Sequence, residues 1–386
     1  MGRRHFLIAI GSWVTCAVLS GAEPKEPEFR PLFNGQDLQG WVLVNTPPAT
    51  WKVEDGMLVC SGKPIGEIRT DRMYQNFVLE LEWRHLRPKG NAGVFVWADD
   101  ITARGVPFHR GVEVQVLENG YGNSAGHTVH GDIFPIHGAK MTPINGRGGD
   151  RAFPTEERSK PSPEWNHYRI VCQDGEISLA VNGKVVTRGT GASPRKGYIC
   201  LESEGGVVHY RNVKIQERPA TPVDSQHVAT ENRGYRSLYT GLDLSGWKVS
   251  ATARDHWQAR DWVLAYDGAV SREHGAISTE ASFGDCGFVV DVRFLKSTKS
   301  LGIGRGASEP RAVDLVDVNA PEWKRALAPS GAWNRIEGTF RDQRLHVTLN
   351  GKPVIRDQKV EGPASSITFA PDGPVELANL FVRELK

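Results

Sequence analysis

The sequence is short of cysteine, of net charge and of long apolar runs. Five cysteines occur in 386 residues, none at the CxxC spacing of a zinc or redox site. Basic residues number 47 against 45 acidic ones, a formal net charge of +2. That balance gives no electrostatic reason to expect nucleic acid or an anionic membrane as partner. Beyond the N-terminus no apolar stretch is long enough to cross a bilayer, and runs of helical period are almost absent. Multi-helical folds and membrane-spanning helices beyond the N-terminus are therefore set aside.

One apolar run opens the chain. Residues 1–22, "MGRRHFLIAIGSWVTCAVLSGA", carry two arginines, then apolar residues from Phe6 to Leu19, then small ones, the pattern of a secretory signal. Cleavage near Ala22 is expected, giving an exported protein of the periplasm or exterior. Arg3 and Arg4 account for the whole positive excess, so the mature chain is close to neutral. Export permits disulfides. Of Cys60, Cys172, Cys200 and Cys286, the pair Cys172–Cys200 is the candidate bridge, with buried free thiols as the alternative.

The chain repeats itself once. "PLFNGQDLQGW" at 31 returns as "SLYTGLDLSGW" at 237, "FVLELEWR" at 77 as "FVVDVRFL" at 288, and "LAVNGKVV" at 179 as "VTLNGKPV" at 347. Two divergent domains are expected, at 23–217 and 235–386, joined by a polar, proline-bearing linker at 218–234. Segments within each copy are short, β-branched or aromatic. In "HYRIVCQDGEISLAVNGKVV" the pairs Asp174-Gly175 and Asn182-Gly183 mark two-residue hairpin turns. An all-β fold follows, an antiparallel β-sandwich in each half, with Trp41, Trp51, Trp83 and Trp165 read as core or sheet-face aromatics.

The copies differ most after "GVEVQVLE". Residues two apart in a strand share a face, so Glu113 and Gln115 point away from Val112, Val114 and Val116. Copy two has Val316 in place of Gln115 and lacks the long loop that follows in copy one. That loop supplies His127, His130, Asp132, His137 and Lys140, and a loop this long inside a domain is usually functional or disordered. Phe134, Pro135 and Ile136 speak against disorder. Glu113, His130, Asp132 and His137 together could ligate a divalent metal, at a spacing that fits no standard zinc motif. Arg84, alternating with apolar residues after Glu80 and Glu82, is either a site residue or the exposed face of a strand.

"LFNGQDLQGW", "LEWRHLRPKGNAGVFV", "GVEVQVLE", "GDIFPI", "EWNHYRI" and "VNGKVV", in this order, resemble the 3-keto-disaccharide hydrolase family of exported bacterial proteins. The resemblance covers roughly 28–217 well and 235–386 through its outer frame. It implies a concanavalin-like jelly roll and action on glycosides whose C3 hydroxyl has become a ketone. Matching positions are Asn91 and Gly93, Glu113 and Gln115, and Asp132. Glu118 stands where an aspartate is common.

A C3 ketone acidifies the C2 hydrogen, so a base can remove it while the aglycone leaves C1, and water addition completes a net hydrolysis. The implied catalytic set is Glu113, His130 and Asp132, with Arg84, Asn91, Gln115, His127, His137 and Lys140 holding the sugar. A metal is optional in that scheme. Two other readings stand beside it. One is a retaining glucanase, since Glu113 to Glu118 imitates a Glu-x-Asp-x-x-Glu strand, weakened by the amide at Gln115. The other is a carbohydrate-binding protein without catalysis.

Overall fold

The computed structural model describes residues 1–2, 27–306, 313–317, 321–360 and 365–385. The body of the expected signal segment lies outside them. Alternation produces the strands: in Phe77–His85 the side chains of Phe77, Leu79, Leu81 and Trp83 enter the core, while Glu80, Glu82 and Arg84 take the other face. Asn166–Gln173 does the same with Tyr168, Ile170 and Cys172, and pairs antiparallel so that Tyr168 faces Leu81. Asp174 and Gly175 take φ of 51° and 88°, and Asn182 and Gly183 take 48° and 88°. Two consecutive positive φ values are what a hairpin turn matched to strand twist requires.

Each copy is an all-β sandwich of two antiparallel sheets. In the first, a nine-stranded sheet packs on a six-stranded one. The smaller sheet runs Trp41–Val44, Gly66–Thr70, Tyr198–Ser203, Gly93–Ala98, Gly111–Gln115, Ile133–Ile136. The five-stranded sheet of the second copy runs Trp247–Val249, Ile277–Thr279, Ile367–Asp372, Ser300–Arg305, Val313–Asp317. The order is the same without the last strand. That strand belongs to the long insertion, which is more regular than a loop. Ile133–Ile136 adds to Gly111–Gln115, and Lys140–Pro143 adds to Lys184–Ser193 of the other sheet. The insertion therefore bridges both sheets along one side of the sandwich.

Trp41, Trp51 and Trp83 are buried in the first core, whereas Trp165 lies between the guanidinium groups of Arg84 and Arg211, 4.5 and 4.0 Å from its ring centre. The candidate disulfide is corrected: Cys60, Cys172, Cys200 and Cys286 are all free and buried. Cys172 faces the core between the sheets, while Cys200, on the smaller sheet, packs with Phe95, Ala98 and Tyr198 on that sheet's other face.

The copies touch. Val44, Ile101, Tyr235, Val289 and Phe381 form a shared apolar cluster. Beside it the fully buried Asp291 accepts from Arg335 Nε at 2.7 Å, Gly105 N at 2.8 Å and Asn379 Nδ2 at 2.7 Å. Arg335 and Asn379 also donate to the carbonyls of Thr102 and Ala103, each at 2.9 Å. The larger sheet of copy two thus grips the segment 102–106 of copy one. Residues 218–234 run along the first sandwich, where Ala229 N donates to Lys196 O and Arg233 pairs with Asp100.

Candidate active site

Gly66–Thr70, Gly93–Ala98, Gly111–Gln115 and Tyr198–Ser203 are buried on both faces. One face is the apolar core; the other carries ionisable side chains, which proteins rarely bury without purpose. The register sets them in rows. Glu113 lies opposite Phe95, Phe95 opposite Cys200, and Cys200 opposite Arg69. In the next row Gln115 faces Gly93, and Glu202 faces Glu67.

Gly93 is the space in the middle. A Cβ there would meet Glu113 Oε1 at 2.9 Å and Glu202 Oε2 at 3.1 Å. The two carboxyls therefore converge over a backbone that has no side chain between them. Glu113 is 6% exposed and accepts no hydrogen bond from the described residues, and Glu202 Oε2 is buried without a partner. Burial, then the negative charge of Glu204, hold the Glu113 carboxyl well above the ordinary carboxylate range, against the opposing pull of Arg151. Burial, then Glu113 and Glu204, push Glu202 up in the same way. Two such groups side by side cannot both ionise easily, so one holds a proton.

Amide and guanidinium groups form the rim. Gln115 Nε2 donates to Asn91 Oδ1 at 3.0 Å, and Asn91 donates to Glu204. Arg151 Nη1 donates to Asp132 Oδ2 at 3.0 Å and to Gln115 Oε1 at 3.4 Å, with its guanidinium 3.5 Å from the centre of the Phe134 ring. Asp132 is fully buried and also takes Thr128 N at 2.9 Å and the Thr128 hydroxyl. It ties the insertion together and holds Arg151 toward the carboxyl pair.

The structure links Gln115, Asn91 and Asp132, the last through Arg151, in one hydrogen-bond network and sets Glu113 beside it, within reach of the charges of Glu204 and Arg151. It leaves other sequence candidates elsewhere. Arg84 sits on the outer face of the opposite sheet, stacked on Trp165 and 3.4 Å from His209 Nδ1. Its alternation with Glu80 and Glu82 marked a solvent-side face. His130 Nδ1 meets Ser159 Oγ at 2.8 Å and its Nε2 lies 3.5 Å from Glu157. Burial lowers its pKa. His127 Nδ1 meets Ser124 Oγ at 2.9 Å. His137 and Lys140 are exposed, His137 on a turn at φ 52°.

The ligand set Glu113, His130, Asp132 and His137 is therefore corrected. With His130 turned to Ser159 and Asp132 wrapped by Thr128 and Arg151, these four do not converge. Among the described residues, the group of potential ligand atoms that gathers within 4.8 Å is Glu67, His109 and Cys200. Glu118 is also settled by geometry: its carboxylate accepts from the backbone of Lys89 and Gly120 at 2.7 Å and Ser162 at 2.9 Å. It caps a turn, so the glucanase-like spacing with Glu113 is not a catalytic pair.

Residues the sequence reading passed over are Glu202, Glu204, Arg151, Glu67 and His109. "YICLESEGG" held a signal for the first two. Ile199 and Leu201 alternate with Cys200 and Glu202 just as the valines alternate with Glu113 and Gln115.

Comparison with known proteins adds three findings. Residues 28–216 match the model of the 3-keto-alpha-glucoside-1,2-lyase-like domain. No curated protein sequence matches the chain. Among solved structures, a candidate glycosyl hydrolase of Parabacteroides distasonis is 23% identical at a TM-score of 0.38, covering 50% of this chain and 94% of that one. The carbohydrate binding module CBM66 of Bacillus subtilis is 12% identical at 0.34, covering 47% and 98%. The beta-glucanase of Bacillus licheniformis is 14% identical at 0.33, covering 50% and 99%. With its sandwich fold, its ordered motifs and the family match across residues 28–216, the first domain of this chain belongs to the 3-keto-alpha-glucoside-1,2-lyase-like, or 3-keto-disaccharide hydrolase, family.

Proposed function

We propose that the first domain cleaves 3-keto-glycosides by removing the C2 proton and eliminating the C1 aglycone. The observation that carries this reading is the convergence of Glu113 and Glu202 over Gly93. Glu113, the carboxyl whose ionised form Arg151 favours, is the base once pH has passed its raised value and it has lost its own proton. It takes the C2 proton, the electron pair moves toward the C3 oxygen, and the C1–O bond breaks. Glu202, across Gly93, gives its proton to the departing oxygen. The amides of Gln115 and Asn91 and the guanidinium of Arg151 are the donors for the enolate oxygen. Water then adds to the enone, giving net hydrolysis.

The N-terminal pattern of residues 1–22 supports an exported site of action, and no helix among the described residues is long and apolar enough to cross a membrane. The test is aglycone release from a 3-keto-glycoside and from its unoxidised parent. Release from the keto form alone supports the reading. Equal release from the parent would replace it with an ordinary retaining glycosidase, for which paired carboxyls also serve. No release from either, with binding intact, would leave a carbohydrate-binding module.

A further inference from the structure

We propose that Glu67, His109 and Cys200 form a three-ligand site for a zinc-class transition metal, separate from the carboxyl pair that the proposed reaction uses. All three side chains are fully buried, and one potential ligand atom from each lies within 4.8 Å of the others. Glu67 Oε2 contacts His109 Nδ1 and also accepts from His109 N at 3.0 Å. Cys200 Sγ stands 3.8 Å from the same His109 nitrogen. Zinc–sulfur and zinc–nitrogen bonds at a tetrahedral angle place those two atoms about 3.6 Å apart.

A second observation points to a missing partner. Glu67 Oε1 is buried with nothing to bond, although it belongs to a carboxylate packed among a thiol and an imidazole. An uncompensated buried carboxylate oxygen is costly, and a cation bound by that oxygen removes the cost. Thiolate, imidazole and carboxylate are the donors that suit zinc and its neighbours rather than magnesium or calcium. Three protein ligands leave a fourth position open, the arrangement of catalytic rather than closed structural sites. Binding would displace the Cys200 thiol proton to solvent, since a coordinating thiol is deprotonated.

The place in the fold is informative. Glu67 and Cys200 come from neighbouring strands whose register also sets Glu202 opposite Glu67. His109 comes from the end of the segment whose residues 102–106 the second copy grips. The second copy thereby fixes the loop that carries one ligand, a positioning role for a domain whose counterpart of the site strand carries Val316 for Gln115.

The experiment is metal analysis of the purified mature chain, before and after dialysis against zinc, and absorption of the cobalt-loaded protein. The expected result is stoichiometric zinc and a thiolate-to-cobalt charge-transfer band. Cys200→Ser should abolish the band and weaken binding by more than the roughly 10–100-fold that outer-shell changes cost, while Cys172→Ser leaves both unchanged. Absence of bound zinc after dialysis, cobalt bound without a thiolate band, or binding indifferent to Cys200→Ser would each overturn the proposal. Should Cys200→Ser not fold, the cobalt spectrum of the unaltered protein decides alone. None of these readouts depends on turnover, so the site and the proposed reaction stand or fall separately.

Discussion

Replacing Glu113 by glutamine keeps the shape of the side chain and removes its titration. In the folded chain the Glu113 carboxyl holds its proton well above the ordinary 4.5, whereas the unfolded chain releases it near that value. The folded state therefore binds more protons than the unfolded state across the interval between the two values. Stability is complete below the unfolded value and falls as pH rises through the interval. One retained proton corresponds to a loss of about 1.4 kcal/mol per pH unit. Glu113→Gln should remove that slope, so that the variant gains on the native protein by about 1.4 kcal/mol per pH unit within the interval between the unfolded and folded values, and by a constant amount above it. Urea denaturation of both proteins at a series of pH values measures the difference. The same substitution should lower turnover about 10²–10⁴-fold. Parallel stability curves for the two proteins would refute the claim that burial raises the Glu113 carboxyl above the ordinary carboxylate range.

Three further outcomes follow from named contacts. Gly93→Ala puts a methyl group 2.9 Å from Glu113 Oε1 and 3.1 Å from Glu202 Oε2, so the carboxyls must separate; kcat should fall at least about tenfold while the melting temperature changes little, and unchanged kcat would remove the pair from the chemistry. Arg151→Met takes away the cation that favours ionised Glu113, so the acidic limb of the kcat/KM profile should move to higher pH; a limb that stays in place would assign it to another group. Asp291→Ala strands Arg335, Gly105 N and Asn379 at the contact between the copies, and should cost about 3–5 kcal/mol by chemical denaturation; a loss under ~1 kcal/mol would show that the clasp matters little.

What the sequence made legible was local. The paired turn residues at Asp174-Gly175 and Asn182-Gly183 announced hairpins because only a few residues accept positive φ. Alternation separated Glu113 and Gln115 from the valines. The repeat was visible as ordered short matches, and the strand order of the two smaller sheets follows it. The same alternation misdirected attention to Arg84, because period two separates the faces of a strand but does not say which sheet it joins. Glu202 reaches Glu113 only through a register between strands far apart in sequence. The histidine cluster is a further case. His127, His130 and His137 are close in sequence, but a chain that crosses from one sheet to the other scatters their side chains. His109, which precedes them in the chain, turns into the buried face of the smaller sheet.

The most direct test of the account is the fate of the C2 hydrogen. A 3-keto-glycoside deuterated at C2 should react with a primary isotope effect and lose its label to water as the aglycone departs, and Glu113→Gln should suppress both together. Aglycone release with the C2 label retained would contradict proton abstraction by Glu113 and move the chemistry to direct displacement at C1.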